Sequence, residues 1–90
     1  MRERDVEAAL VAAVHACGGL ALKFTSPGRR SVPDRVVILP GLPVVFVECK
    51  APGAKPTAAQ AREHKRIENA GGRVFVIDSV DAARRLPGGF

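Results

Sequence analysis

Three rhythms of apolar and polar residues run along this chain. Over residues 3–17, ERDVEAALVAAVHAC, the residues Val6, Leu10, Val14 and Cys17 recur at helical spacing, with no Gly or Pro between them. That pattern predicts a helix with one apolar face, ended by Gly18-Gly19. LALKF (20–24) reads as a strand and TSPGRRSVP (25–33) as a loop rich in turn residues. DRVVIL (34–39) and VVFVECK (44–50) are β-branched apolar runs around the turn PGLP (40–43), and predict a hairpin. After the loop APGAKP, Thr57 and Gln60 form a capping-box pattern that opens a helix running to about Ala70, where Gly71-Gly72 stops it. RVFVID (73–78) predicts a strand, and Ser79 caps a last short helix, VDAARRL, ending before Pro87. The order αβββαβα defines a small α/β domain with a mixed sheet flanked by helices.

The strand VVFVECK carries a glutamate and a lysine two residues apart. Alternation places Phe46, Glu48 and Lys50 on one face and Val45, Val47 and Cys49 on the other, with Glu48 and Lys50 about 7 Å apart at their Cα atoms. Alone, this reads as a strand end reaching water with a weak surface ion pair. The hairpin adds a second acid. A turn centred near Gly41-Leu42 sets Asp34 opposite residues 48–50, where cross-strand neighbours lie roughly 4.5–5.5 Å apart. A register slip of one residue would turn Asp34 to the other face. Two carboxylates so close repel unless positive charge stands between them. Lys50 supplies part of it, and a divalent cation would supply more.

Oxygen ligands from Asp34, Glu48 and a backbone carbonyl such as that of Cys49 suit Mg²⁺ or Mn²⁺. Such an ion polarises a phosphoryl oxygen and lowers the pKa of a water. Lys50 would then orient the water or stabilise charge on phosphorus. Glu7 lies roughly 60° from the centre of the apolar helix face and can overlook the pair. Its alternative role is an N-terminal acid facing the helix dipole, and Glu3, one turn earlier, competes for both roles.

Composition narrows the partners. Ninety residues, 47% of them apolar, make one domain spanning 1–90. No apolar run approaches the roughly 18–20 residues of a membrane span, and MRERDVEAAL lacks a signal-peptide pattern, so an intracellular, cytoplasmic protein is expected. The formal net charge of +5 favours a polyanion, most simply nucleic acid. Cys17 and Cys49 form no CxxC pair, which disfavours a structural zinc site and leaves both as expected reduced core residues. With four Phe and neither Tyr nor Trp, base-stacking platforms are sparse.

VPD, followed fourteen residues after its Asp by ECK, resembles the PD-(D/E)xK nuclease pattern. Together with an acid in the preceding helix, the element order and a Gln ten residues past the lysine, it resembles the VRR-NUC (virus-type replication-repair nuclease) family over nearly the whole chain. The resemblance implies a restriction-endonuclease-like core. It makes Asp34 and Glu48 metal ligands, Lys50 the catalytic lysine, Glu7 the helix acid and Gln60 the glutamine near the site. Where the family pattern often reads GxPD, this chain has Ser31 in the glycine position. Small standalone members resemble homodimeric, metal-dependent, structure-specific endonucleases, with four-way (Holliday) junctions among their substrates, in a bacterial or phage-infected cell. A two-fold dimer suits paired cuts. Phe90 and the apolar hairpin tip ILPGLP are candidates for its surface.

Arg29 and Arg30 precede Asp34, and Lys55 follows Lys50, so both loops should rim the site and hold phosphates. Arg62, Lys65 and Arg66 on the capped helix extend this patch, or form a solvated face with Glu63 and Glu68. His64, one turn past Gln60, is expected to be partly buried packing, and His15 structural or exposed. The expected function is a Mg²⁺- or Mn²⁺-dependent DNA endonuclease. The alternative is a non-catalytic DNA-binding module on the same fold, which would need none of Asp34, Glu48 and Lys50.

Overall fold

The computed structural model describes residues 1–89; Phe90, expected as a dimer contact, lies outside the described residues. Helix α1 (Glu3–Ala16) buries Val6, Leu10 and Val14 completely, as their spacing requires. At its start the Asp5 carboxylate accepts the backbone N–H of Arg2 at 2.7 Å. Cys17 departs from expectation. The helix stops at Ala16, Cys17 caps it, and its side chain is exposed, so Cys49 alone of the two cysteines joins the core. Gly19 sits where a Cβ would stand 2.5 Å from the Ile38 carbonyl oxygen, so glycine allows the α1–β1 link to lie directly on the sheet.

Four strands follow in spatial order: β1 (Leu20–Lys23), β2 (Arg35–Ile38), β3 (Val45–Cys49) and β4 (Val74–Ile77). β1–β2 and β2–β3 are antiparallel, whereas β3–β4 is parallel and is bridged by helix α2 (Ala58–Asn69). The capping box expected at Thr57 forms: Thr57 Oγ1 accepts from the Gln60 N–H at 3.1 Å, and Gln60 Oε1 accepts from the Thr57 N–H at 2.9 Å. Helix α3 (Val80–Arg85), capped by Ser79, continues into a 3₁₀ turn over Leu86–Gly88. Pro87 therefore shapes this turn rather than ending the structure, because its missing N–H is tolerated in a first helical turn.

The two sheet faces differ. Val37, Val45, Val47 and Cys49 point to the face covered by α1 and α3 and form the core with Val6, Leu10 and Val14. Helix α2 lies on the opposite face, where Phe46 and Glu48 point. It leaves β1, the end of β2 and the residue before β3 bare there. Leu20, Leu22, Ile38 and Val44 are 51%, 48%, 36% and 50% exposed. Register connects them, with Leu20 opposite Ile38 and Leu22 opposite Val36, which in turn faces Phe46. Among the described residues no helix is long and apolar enough to cross a membrane.

Candidate active site

The hairpin register decides where the carboxylates meet. Arg35 pairs with Val47 and Val36 with Phe46, so one further step sets Asp34 against Glu48. Asp34 stands just before the start of β2, and its Oδ2 accepts the backbone N–H of Cys49 at 2.8 Å. The carboxylate thus occupies the place of a ladder carbonyl. Within an extended strand the N–H and C=O of one residue point to the same side. The Cys49 carbonyl is therefore aimed at the Asp34 side, while Lys50 N–H turns the other way and bonds Ile77 O at 2.9 Å on β4.

Glu48 is 2% exposed, which rules out a strand end fraying into water. Burial, and after it the charge of Asp34, raises its carboxyl from 4.5 to about 8. Lys50 opposes this with its Nζ 3.9 Å from Glu48 Oε2, too far and too solitary to cancel it. Two side chains of α2 approach the same group. Gln60 Nε2 lies 3.4 Å from Oε2, and His64 Nε2 lies 3.4 Å from Oε1. His64 is 8% exposed, and burial lowers its pKa. Its contact with Glu48 goes beyond packing and depends on how α2 is turned on the sheet, for which its spacing from Gln60 is the only signal in the sequence. Burial also pushes the Cys49 thiol up to about 12, so it is no nucleophile at neutral pH.

Glu7 is not brought to the pair. Its Oε2 accepts from Arg35 Nε at 2.8 Å, and Arg35 Nη1 also donates to the Ala21 carbonyl. The reason is parity: Arg35 shares the α1 face with Val47, whereas Glu48 points to the α2 face. Of the two α1 acids left open, Glu3 is the one whose charge adds to the rise in the Glu48 pKa.

Arg29, expected to contact phosphate, is engaged within the chain. Its Nε and Nη2 each donate at 3.0 Å to the two oxygens of Glu63, a bidentate pair that ties the loop before Asp34 to α2. Arg66 adds a looser bond to the same carboxylate at 3.4 Å. Arg30, Lys55, Arg62 and Lys65 are exposed, and no ion pair holds them among the described residues. Ser31 has φ 66°, a left-handed conformation that glycine adopts without strain. A concavity of about 410 Å³ lined by Phe46, Arg66, Ile67, Ala70 and Gly72 is offset toward the C-terminal end of α2 and does not take in the carboxylates.

Among the described residues no three His, Cys, Asp or Glu side chains gather as a metal-holding group. Two carboxylates and a carbonyl do fit a hard cation that keeps several waters, and a buried acid held neutral beside another acid is charge such a cation would compensate.

A four-stranded mixed sheet with an acid on each strand of a hairpin, and a lysine two residues after the second, defines a nuclease-type α/β fold. No family model matches the chain. A "Putative nuclease p44" of Acyrthosiphon pisum secondary endosymbiont phage 1 is 54% identical over 87 residues, which cover 97% of this chain and 94% of that protein. A solved structure described as "VRR_NUC domain" superposes with a TM-score of 0.87 at 36% identity, covering 98% of this chain and 96% of its own. The chain belongs to the VRR-NUC family of nucleases.

Proposed function

We propose that the protein is a Mg²⁺- or Mn²⁺-dependent DNA endonuclease that hydrolyses phosphodiester bonds in branched DNA, four-way junctions included, as a homodimer. The observation that carries this reading is buried Glu48 beside half-buried Asp34, with Lys50 Nζ 3.9 Å from Glu48. Asp34, Glu48 and the Cys49 carbonyl would hold the cation. When bound, it supplies the Lewis acidity that polarises phosphoryl oxygens and acidifies a water.

The chain's own groups do the rest. Asp34 is fixed by the Cys49 N–H and Glu48 by Gln60 and His64, so the carboxylates need little reorganisation when substrate arrives. Lys50, tied to β4 through its backbone, presents an ammonium beside the pair, where it can orient the attacking water or neutralise charge on the phosphate. Glu7 acts through Arg35 by anchoring the start of β2 next to Asp34. Arg30 and Lys55 rim the site and Arg62 and Lys65 continue from it, giving the backbone contacts that position DNA without reading its sequence.

The bare sheet face supports the dimer. Leu20, Leu22, Ile38 and Val44 form an uncharged strip across β1, β2 and the approach to β3, suited to packing on its own copy about a two-fold axis. The hairpin tip adjoins this strip: Ile38 belongs to both and Leu42 is 41% exposed, whereas Leu39 is buried.

The test incubates labelled four-way junction, flap and linear duplex with and without Mg²⁺ or Mn²⁺, beside Asp34→Ala and Lys50→Ala. Metal-dependent cutting that both variants lose is the expected result. Tight binding without cutting in either metal would establish the DNA-binding module instead, and equal cutting by wild type and Lys50→Ala would remove the catalytic assignment.

A further inference from the structure

Glu48 reaches the site on a side chain with three rotatable bonds, yet its function requires one orientation. Gln60 and His64, one turn apart on α2, approach different oxygens of its carboxylate. Lys50 stands on the Oε2 side with Gln60, so of the α2 side chains it is His64 that meets Oε1, at 3.4 Å. A donor at one oxygen leaves the carboxylate free to swing about that contact; a donor at each fixes its plane. Burying an imidazole where an aliphatic side chain would pack is costly unless its polar atoms are engaged.

We propose that His64 is a positioning residue for the reaction at the Asp34–Glu48 pair: its Nε2–H holds Glu48 Oε1, keeps the remaining lone pairs turned toward Asp34, and thereby sets affinity for the divalent cation. The inference rests on the nuclease reading above. An ionised carboxylate only accepts, so the ring must carry its proton on Nε2. The 3.4 Å separation is long for such a bond, and it should shorten once the acceptor is charged. Residues that orient a metal ligand in this way typically contribute about 10–100-fold to metal affinity.

The test compares His64→Met with His64→Gln, which are close in size and differ in whether they carry a donor. Mn²⁺ binding to each metal-free protein is titrated by the EPR signal of free Mn²⁺ without DNA, and thermal unfolding is followed on the same samples. The Mg²⁺ concentration giving half-maximal junction cleavage is measured beside them. His64→Met should weaken Mn²⁺ binding about tenfold or more and shift the Mg²⁺ requirement in parallel, and His64→Gln should recover most of both. His64→Phe stands in if the Met variant does not fold.

Mn²⁺ binding unchanged in the donor-free variant, whatever its melting temperature, would reduce His64 to packing. A folded His64→Gln as weak as His64→Met would also overturn the proposal. A wild-type protein that neither binds Mn²⁺ nor cuts DNA would remove the nuclease reading itself, a result separable from either of these.

Discussion

Replacing Glu48 by glutamine should stabilise the metal-free protein while abolishing cleavage. The side chain is 2% exposed, and its carboxyl titrates near 4.5 in the unfolded chain and about 8 in the folded one. The folded state therefore keeps a proton that the unfolded state has lost. This contribution to stability is fully present below about pH 4.5 and is lost progressively as the pH rises through 8. At 1.36 kcal/mol per pKa unit, the loss between pH 5 and pH 7 is about 2–3 kcal/mol. For a domain of this length that corresponds to a fall of about 10–20 °C in Tm. Glutamine is nearly isosteric and does not titrate; its oxygen can accept from Gln60, and its amide can face a ring nitrogen of His64. Melting curves of wild type and Glu48→Gln, taken by circular dichroism in EDTA from pH 5 to pH 8.5, should lie close together at pH 5 and separate as the pH rises, the variant being the more stable. Millimolar Mg²⁺ at pH 8 should raise the wild-type Tm and leave the variant unmoved, because only the ionised pair gains a ligand. Parallel curves across the range, or a variant less stable than wild type in EDTA at pH 8, would refute the argument that uncompensated charge at Glu48 is what a cation relieves.

Three further outcomes follow from other parts of the fold. Ser31→Gly relieves a left-handed residue at φ 66° and should raise stability by about 1 kcal/mol with cleavage unchanged; calorimetry showing no gain would mean that the loop imposes no strain there. Arg29→Ala removes the tie between the loop and α2, so amide hydrogen exchange should accelerate over residues 25–33 and DNA cleavage should fall; unchanged exchange would show that the Glu63 pair does not hold the loop. Leu22→Glu places a charge in the bare apolar strip, and light scattering should report a dimer mass for wild type and a monomer mass for the variant; a dimer mass for both would move the proposed interface to another face.

How much of the site was legible depends on how far apart in sequence its parts lie. Asp34 and Glu48 could be read as neighbours because one hairpin turn sets their register, and the structure carries that register to Asp34 opposite Glu48. Gln60 was legible through its cap and its distance from Lys50. Arg29 and Glu63 are 34 positions apart, joined only by how a loop folds against a helix, and no local pattern encodes that pairing. Arg29 therefore looked free for phosphate until tertiary contact claimed it. The partner of Glu7 was also legible in principle. A helical wheel gives the direction of a side chain within its own helix, but which sheet face receives the helix follows from strand parity. Val37 and Val47 are the residues α1 must cover, and Arg35 shares their face, so an acid in the first turns of α1 meets Arg35 before it meets Glu48. Parity divides the labour in the same way throughout. Odd positions of β2 and β3 build the core against α1 and α3, and even positions carry Phe46, Glu48 and Lys50 toward α2. Charge can enter a strand so deeply because the opposite face of that strand, Val45, Val47 and Cys49, is completely buried. The core on one side holds the backbone still, and the acids on the other keep the orientation that catalysis requires.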